Sequence, residues 1–243
     1  MNVALAAYYN GHGVATNNTQ YFEVINGQVG YVQNDGFLVS AVVDRNPYPA
    51  SGCNSPVTPG NCLTDAQVQQ EVLKVIQTQN WSVGINSIFM VYTSSGEGSC
   101  LAANSQLCAA PGGYCAYHSS IPPASNNIND VVLYANIPYP PPSGCFGKGK
   151  SPNNDVDADT AATAASHELT EVITNPVGNG WYTAQGNEIG DLCNQFFDVN
   201  TYANGLANQS WNGNPFELQT EFDNHSGQCV QTGPLYVELA ATQ

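Results

Sequence analysis

Eight cysteines, Cys53, Cys62, Cys100, Cys108, Cys115, Cys145, Cys193 and Cys229, are spread over 243 residues with no CxxC pair among them. The absent pair excludes the spacing of a zinc ribbon or a thioredoxin-type redox site. An even number in loop-like surroundings reads instead as a disulfide framework, and disulfides persist in oxidising, extracellular surroundings. Two closures are expected: Cys53 with Cys62, around a loop rich in Pro, Gly and Asn, and Cys193 with Cys229, across the C-terminal part. A secreted protein follows. The first nine residues lack the basic segment and apolar stretch of a signal peptide, so the chain is expected to be a mature form. No apolar run approaches the ~18 residues of a membrane span.

Charge narrows the partners. Nineteen Asp and Glu face four Lys and Arg, a formal net charge of −15, and charged residues make up only 9% of the chain. Nothing in such a surface would displace counterions from phosphates, so neither nucleic acid nor an anionic membrane is an expected partner. With 42% hydrophobic residues, including 13 Tyr, 8 Phe and 3 Trp, the chain is too apolar and too aromatic for disorder. Its length is ample for a buried core, and it is expected to act as a monomer. Scarce cations suit life in acid, where carboxylates neutralise and excess Lys and Arg would repel one another; a plain neutral exterior explains the same composition.

Short β-type runs at 3–9, 20–26 and 36–43 are separated by Asn-Gly-type turns. After a Pro/Gly/Ser/Cys loop over 45–63, Thr64-Asp65 opens an amphipathic helix over about 65–79, with Val68, Val72, Val75 and Ile76 on one face. A strand at 86–93, an irregular cysteine-rich stretch over 95–128 and a strand at 130–137 follow. A second helix is predicted to start near Asp157 or Asp159 and to stop before Asn175-Pro176. The remainder carries short strand-like pieces at 186–192, 216–222 and 235–240. The expected fold class is α+β, a zincin-like mixed sheet with a backbone helix and an active-site helix. Residues 1–243 form one domain in this reading, with 1–176 carrying the sheet and both helices, and 177–243 a loop-rich, disulfide-tied C-terminal subdomain.

The second helix contains His167-Glu168-Leu169-Thr170-Glu171. Residues four apart share a helix face, so His167 and Glu171 can grip one metal ion, while Glu168 sits one step round, within reach of a water beside it. This is the logic of the HExxH zincins with the second His replaced by Glu. A third ligand has to come from beyond the chain reversal at Asn175-Pro176, and the segment Asn187-Glu188-Ile189-Gly190-Asp191 offers two, Glu188 and Asp191. Only four His and nine Glu occur in the chain, so their gathering on one Ala-rich helix argues against a merely solvated face. Asp155, Asp157 and Asp159 alternate like part of a calcium loop, but without its glycine turn or distal Glu they read as helix-capping groups.

Tyr114-Cys115-Ala116-Tyr117-His118-Ser119, Ser166 to Pro176, Gly180-Trp181-Tyr182 and Asn187-Glu-Ile-Gly-Asp-Leu-Cys193 resemble secreted bacterial and fungal proteins that carry an HExxE motif. Those proteins are in turn distantly similar to the plant phosphate-induced, exordium-like proteins. The resemblance spans roughly residues 88–229 and implies a zinc metallopeptidase.

As an enzyme the chain would be a secreted zinc endopeptidase acting on proteins or peptides, with Zn²⁺ on His167, Glu171 and either Asp191 or Glu188. Glu168 would act as general base, and His118 or a Tyr of the 114–117 stretch would stabilise the oxyanion. A Glu ligand, with an ordinary pKa of about 4.3 against about 6.5 for His, sheds its proton more readily in mild acid. The alternative is a non-catalytic extracellular module that binds wall polysaccharide or protein and holds a structural ion, Ca²⁺ included. An acid peptidase working through carboxylates without metal is a third reading.

Overall fold

The computed structural model describes residues 14–233 apart from 26, 34, 35, 37, 124, 126, 140–144, 146–150 and 212. The strands expected at 3–9 and 235–240 therefore lie outside the described residues. Chain order begins with a short helix α1 (Val14–Asn18) and a hairpin of β1 (Phe22–Ile25) and β2 (Gln28–Tyr31). Next come β3 (Cys62–Thr64), helix α2 (Asp65–Gln79), β4 (Ile88–Tyr92), β5 (Gly98–Cys100), β6 (Tyr117–Ile121) and β7 (Val132–Ile137). Helix α3 (Val156–Thr174) precedes two further hairpins, β8 (Gln209–Trp211) with β9 (Asn214–Phe216) and β10 (Glu221–Asp223) with β11 (Gln228–Val230).

The architecture is mixed α+β with small sheets. Its centre is a three-stranded sheet in the order β4-β7-β6, with β4 parallel and β6 antiparallel to β7. β7 is buried along its whole length, as a strand covered on both faces must be. Its residues alternate between two layers. Val132 and Tyr134 pack with Val68 and Val72 of α2, while Ala135 and Ile137 pack with Ala161, Ala162, Ala164 and Ala165 of α3. The run of alanines brings the α3 backbone close to the sheet.

Both long helices are set by local chemistry. Thr64 and Gln67 form a reciprocal capping box at the start of α2, where the Gln67 N–H donates to Thr64 Oγ1 and the Thr64 N–H to Gln67 Oε1. Asn80 closes that helix with φ 53°, a left-handed conformation Asn tolerates. Asp155 caps α3 by accepting from the Ala158 N–H at 3.0 Å, so the helix begins at Val156, just before the expected Asp157. Asp159 instead ties down the entry loop through Ser151 and Asn153. The helix stops at Thr174 because Asn175 precedes Pro176, whose ring disfavours helical geometry in its neighbour.

Four expectations fail, the first being the piece at 216–222, which is split between the end of β9 and the start of β10. Residues 36–43 contain no strand among those described; Val39 and Val43 are 81% and 73% exposed, with no partner strand to hold them extended. The stretch 95–128 contains β5 and β6, whose Gly, Ser and Cys content hides strands made by pairing rather than propensity. Residues 186–192 form a turn leading into a 3₁₀ turn, Asp191–Cys193. The four disulfides are Cys53–Cys62, Cys100–Cys108, Cys115–Cys145 and Cys193–Cys229, which include both expected closures.

Candidate metal centre

Strand pairing places His118. It lies opposite Ala135 in the β6–β7 ladder, and directly paired residues share a face, so its side chain is on the side of the sheet that α3 covers. Tyr117, one residue earlier, lies on the opposite face and donates to Asp65 of α2 at 2.7 Å. On α3, His167, Glu168 and Glu171 are all buried, at 9%, 5% and 3% exposure. The 188–191 turn then returns Glu188 and Asp191 beside them.

The side chains converge. His118 Nδ1 is 3.1 Å from Glu168 Oε2 and 3.6 Å from Glu171 Oε2, and His118 Nε2 is 3.7 Å from Glu188 Oε1. His167 Nε2 is 3.1 Å from Glu171 Oε1 and 3.8 Å from Asp191 Oδ1. Two groups of potential ligand atoms each lie within 4.8 Å of one another: His118, Glu171 and Glu188, and His167, Glu171 and Asp191. Every residue singled out in the sequence is therefore at one site, and Glu188 and Asp191 both reach it, on opposite sides of Glu171. His118 stands among the carboxylates themselves, in hydrogen-bonding contact with Glu168.

Supporting groups fix the geometry. Asn175 Nδ2 donates to Glu188 Oε1 at 2.6 Å, and the Asp191 N–H donates to Glu171 Oε1 at 3.0 Å. Gln219 Nε2 lies 3.0 Å from His167 Nδ1 and donates to the Gly190 carbonyl at 2.9 Å. Gly190 has an ordinary φ of −75°, so its backbone does not demand glycine. Space does: a Cβ there would come within 2.8 Å of His167 Nδ1 and 3.0 Å of Glu171 Oε1. Gly190→Ala is expected to push both side chains aside, costing about 1–3 kcal/mol of stability and weakening metal uptake, as thermal melts and metal titration would show.

Negative charge is concentrated at this spot. Among the described residues, these carboxylates pair only with the two imidazoles, and no Lys or Arg reaches them. Burial pushes the Glu188 carboxyl up to about 7, helped by the negative charge of Glu171. Burial likewise raises Glu168. Glu171 would rise with burial too, but the charge and hydrogen bond of His167 outweigh this and hold it below its ordinary value. Burial acts to lower His118, yet the Glu168 hydrogen bond and the surrounding carboxylates keep it above its usual value. Burial opposes protonation of His167 in the same way, and Glu171 and Glu168 override it to favour the cation. The Gln219 N–H aimed at Nδ1 works against that second proton.

Two members of the neighbourhood, Gln219 and Glu221, escape sequence reasoning. Glu221 is 1% exposed, neither carboxyl oxygen has a hydrogen-bond partner of normal geometry, and burial holds it well above its ordinary value. The signal was a carboxylate beside Phe222 in a strand of a chain almost without charge. A divalent cation fits this donor set: imidazole and carboxylate atoms gathered with no Lys or Arg beside them among the described residues, over a glycine cradle that a methyl group would fill.

The chain resembles two Arabidopsis thaliana proteins over short stretches. It is 39% identical to Protein EXORDIUM-like 5 over 51 residues, 19% of this chain and 14% of that protein. To Protein EXORDIUM-like 3 it is 44% identical over 48 residues, 18% of this chain and 14% of that protein. The matches thus span only about one seventh of the length of these curated relatives. No solved structure matches the chain significantly. The model of one family, described as "Phosphate-induced protein 1 conserved region", matches residues 51–221, a span that takes in the central sheet, both long helices and every residue of the metal centre, and the chain belongs to that family.

Proposed function

We propose that the chain is a secreted, metal-dependent peptidase with a zincin-like arrangement. The observation that carries the reading is the meeting of two imidazoles and four carboxylates at one largely buried spot, drawn from β6, α3 and the 188–191 turn. Glu171 with His118 and Glu188, or with His167 and Asp191, would hold the ion. Zn²⁺ bound there would polarise a peptide carbonyl and make a neighbouring water more acidic. Glu168, buried and raised in pKa, is poised to take a proton from that water and to return it to the leaving amine. The sheet flanked by a backbone helix and an HExxE helix supports the zincin comparison. The four disulfides support an extracellular setting.

The test is metal content by mass spectrometry together with turnover of a quenched peptide library. Near one zinc per chain and cleavage that Glu168→Gln lowers by about 10²–10⁴-fold, with fold and metal kept, is the expected result. The second reading is a non-catalytic module with a structural ion, and the Glu168 carboxylate engaged by His118 favours it. Metal without turnover, and ligand binding unaffected by Glu168→Gln, would establish it.

In this reading acid weakens metal binding through Glu188. Glu188 with a pKa of about 7 is protonated below that pH, so an ion must displace its proton. Zinc affinity measured calorimetrically is expected to fall by about tenfold per pH unit below 7 for each proton displaced. The lowered Glu171 follows the expectation for a carboxylate ligand in mild acid, and Glu188 runs opposite to it because it is desolvated beside another carboxylate.

A further inference from the structure

Resting on the metal reading above, we infer that His118 is the imidazole that binds the ion, and that His167, the histidine of the HExxE motif, acts as a positioning residue that donates its Nε2–H to Glu171. The argument starts from two backbone groups whose chemistry is fixed. The Gly190 carbonyl can only accept and the Gln195 N–H can only donate. Gln219 faces both, with Nε2 2.9 Å from the Gly190 oxygen and Oε1 3.1 Å from the Gln195 nitrogen. Its amide orientation is thereby set, because reversing it would place two acceptors together at Gly190 and two donors together at Gln195.

The same Nε2 lies 3.0 Å from His167 Nδ1, so Nδ1 must be the acceptor. A neutral imidazole with a bare Nδ1 carries its proton on Nε2. That proton meets Glu171 Oε1 at 3.1 Å, and the Asp191 N–H reaches the same oxygen at 3.0 Å. Glu171 Oε1 is thus held by two donors, and its other oxygen is turned toward His118. Rotating the His167 ring would give up both contacts, and Gly190 packs against its Nδ1 and Cε1 edge.

His118 has the opposite tautomer. Its Nδ1 is 3.1 Å from a Glu168 carboxylate oxygen, which accepts, so Nδ1 carries a proton and, in the neutral ring that a metal requires, Nε2 presents a lone pair. Nε2 faces Glu188 Oε1 at 3.7 Å, too long for a hydrogen bond. Donor atoms around a tetrahedral zinc with bonds of about 2.0–2.1 Å sit about 3.3 Å apart, so a cation would fit between them with little movement. A carboxylate on Nδ1–H and a bare Nε2 is the usual arrangement of a metal-bound histidine. The ligand set is then His118 Nε2, Glu171 and Glu188, with Glu168 orienting His118 and His167 orienting Glu171.

Long-range proton–nitrogen NMR on the whole chain, whose sequence holds four His, reads the tautomers directly. In the metal-free protein the expected pattern is Nε2–H for His167 and Nδ1–H for His118. On titration with Zn²⁺ alone, the His118 Nε2 resonance should move to the metal-bound position while His167 keeps its Nε2–H. In parallel, His118→Ala is expected to weaken zinc binding more than 100-fold and His167→Gln by about 10–100-fold, as for loss of a group that orients a ligand. Zinc seated on His167 Nε2, with His118 unmoved, overturns the assignment and leaves the metal reading standing. A wild-type protein that binds no zinc overturns both. The spectra of the unaltered chain carry the decision even where a variant fails to fold.

Discussion

Glu171→Gln is expected to take the protein from about one bound zinc to none, and to abolish any stabilisation by added zinc. Glu171 is the one side chain common to both groups of ligand atoms, so its loss removes the ion whichever histidine holds it. Gln is nearly isosteric, and its carbonyl oxygen can still accept from His167 Nε2 and the Asp191 N–H, which hold Glu171 Oε1 at 3.1 and 3.0 Å. The fold should therefore survive while the charge that binds metal is gone. Zinc at 100 times its dissociation constant stabilises a native state by about 2.7 kcal/mol, which raises Tm by roughly 5–10 °C in a chain of this size. Calorimetry with and without zinc should show that shift in the wild type and none in Glu171→Gln. A variant that still takes up zinc at wild-type affinity would place the ion elsewhere.

Replacing both Cys193 and Cys229 by Ser is expected to cost stability and the metal site together. The bond closes a loop with a sequence separation of 36, which on chain-entropy grounds stabilises by about 4 kcal/mol. For a protein of this length that corresponds to a fall in Tm of roughly 10 °C. The loop it closes contains Gln219, whose amide bridges Gly190 and His167, and its first cysteine ends the 3₁₀ turn that begins with Asp191. Freeing that loop should loosen the His167–Glu171 contact and lower zinc affinity, measured by titration beside the melt. Loss of stability with metal binding unchanged would show that Gln219 is held by its own packing rather than by the disulfide. Removing Cys53–Cys62, which closes a loop with a separation of 9 that holds no residue of the metal centre, should leave zinc affinity near wild type.

Local features were legible in the residues. The capping box at Thr64, the 3.6-residue spacing of Val68 and Val72, and the Asn175-Pro176 stop all act within a few positions of where they are written, so both long helices emerge within a residue or two. His167 and Glu171 share a face by helix geometry alone. The short Cys53–Cys62 closure is likewise a near-neighbour event. The strands β5 and β6 were not legible, because Gly-Ser-Cys and Tyr-His-Ser-Ser-Ile become strands through the partners they find. Residues 36–43 show the reverse, with high β propensity and no partner strand among the described residues.

By itself, then, the sequence determined the HExxE helix, its start and its stop, because these depend on contacts only a few residues apart, and composition alone determined a cysteine-rich, cation-poor chain. Tertiary structure decided how His118, already a candidate from the residues, joins the site, through its register opposite Ala135 across β6 and β7. It also decided that Glu188 and Asp191 lie on opposite sides of Glu171, and that Gln219, 52 residues beyond His167, dictates which nitrogen of that ring carries the proton. The physical reason is the same in each case: a hydrogen bond or a ligand position is specified by distance and direction in space, and strand pairing and chain reversal bring those groups together from far apart in the chain.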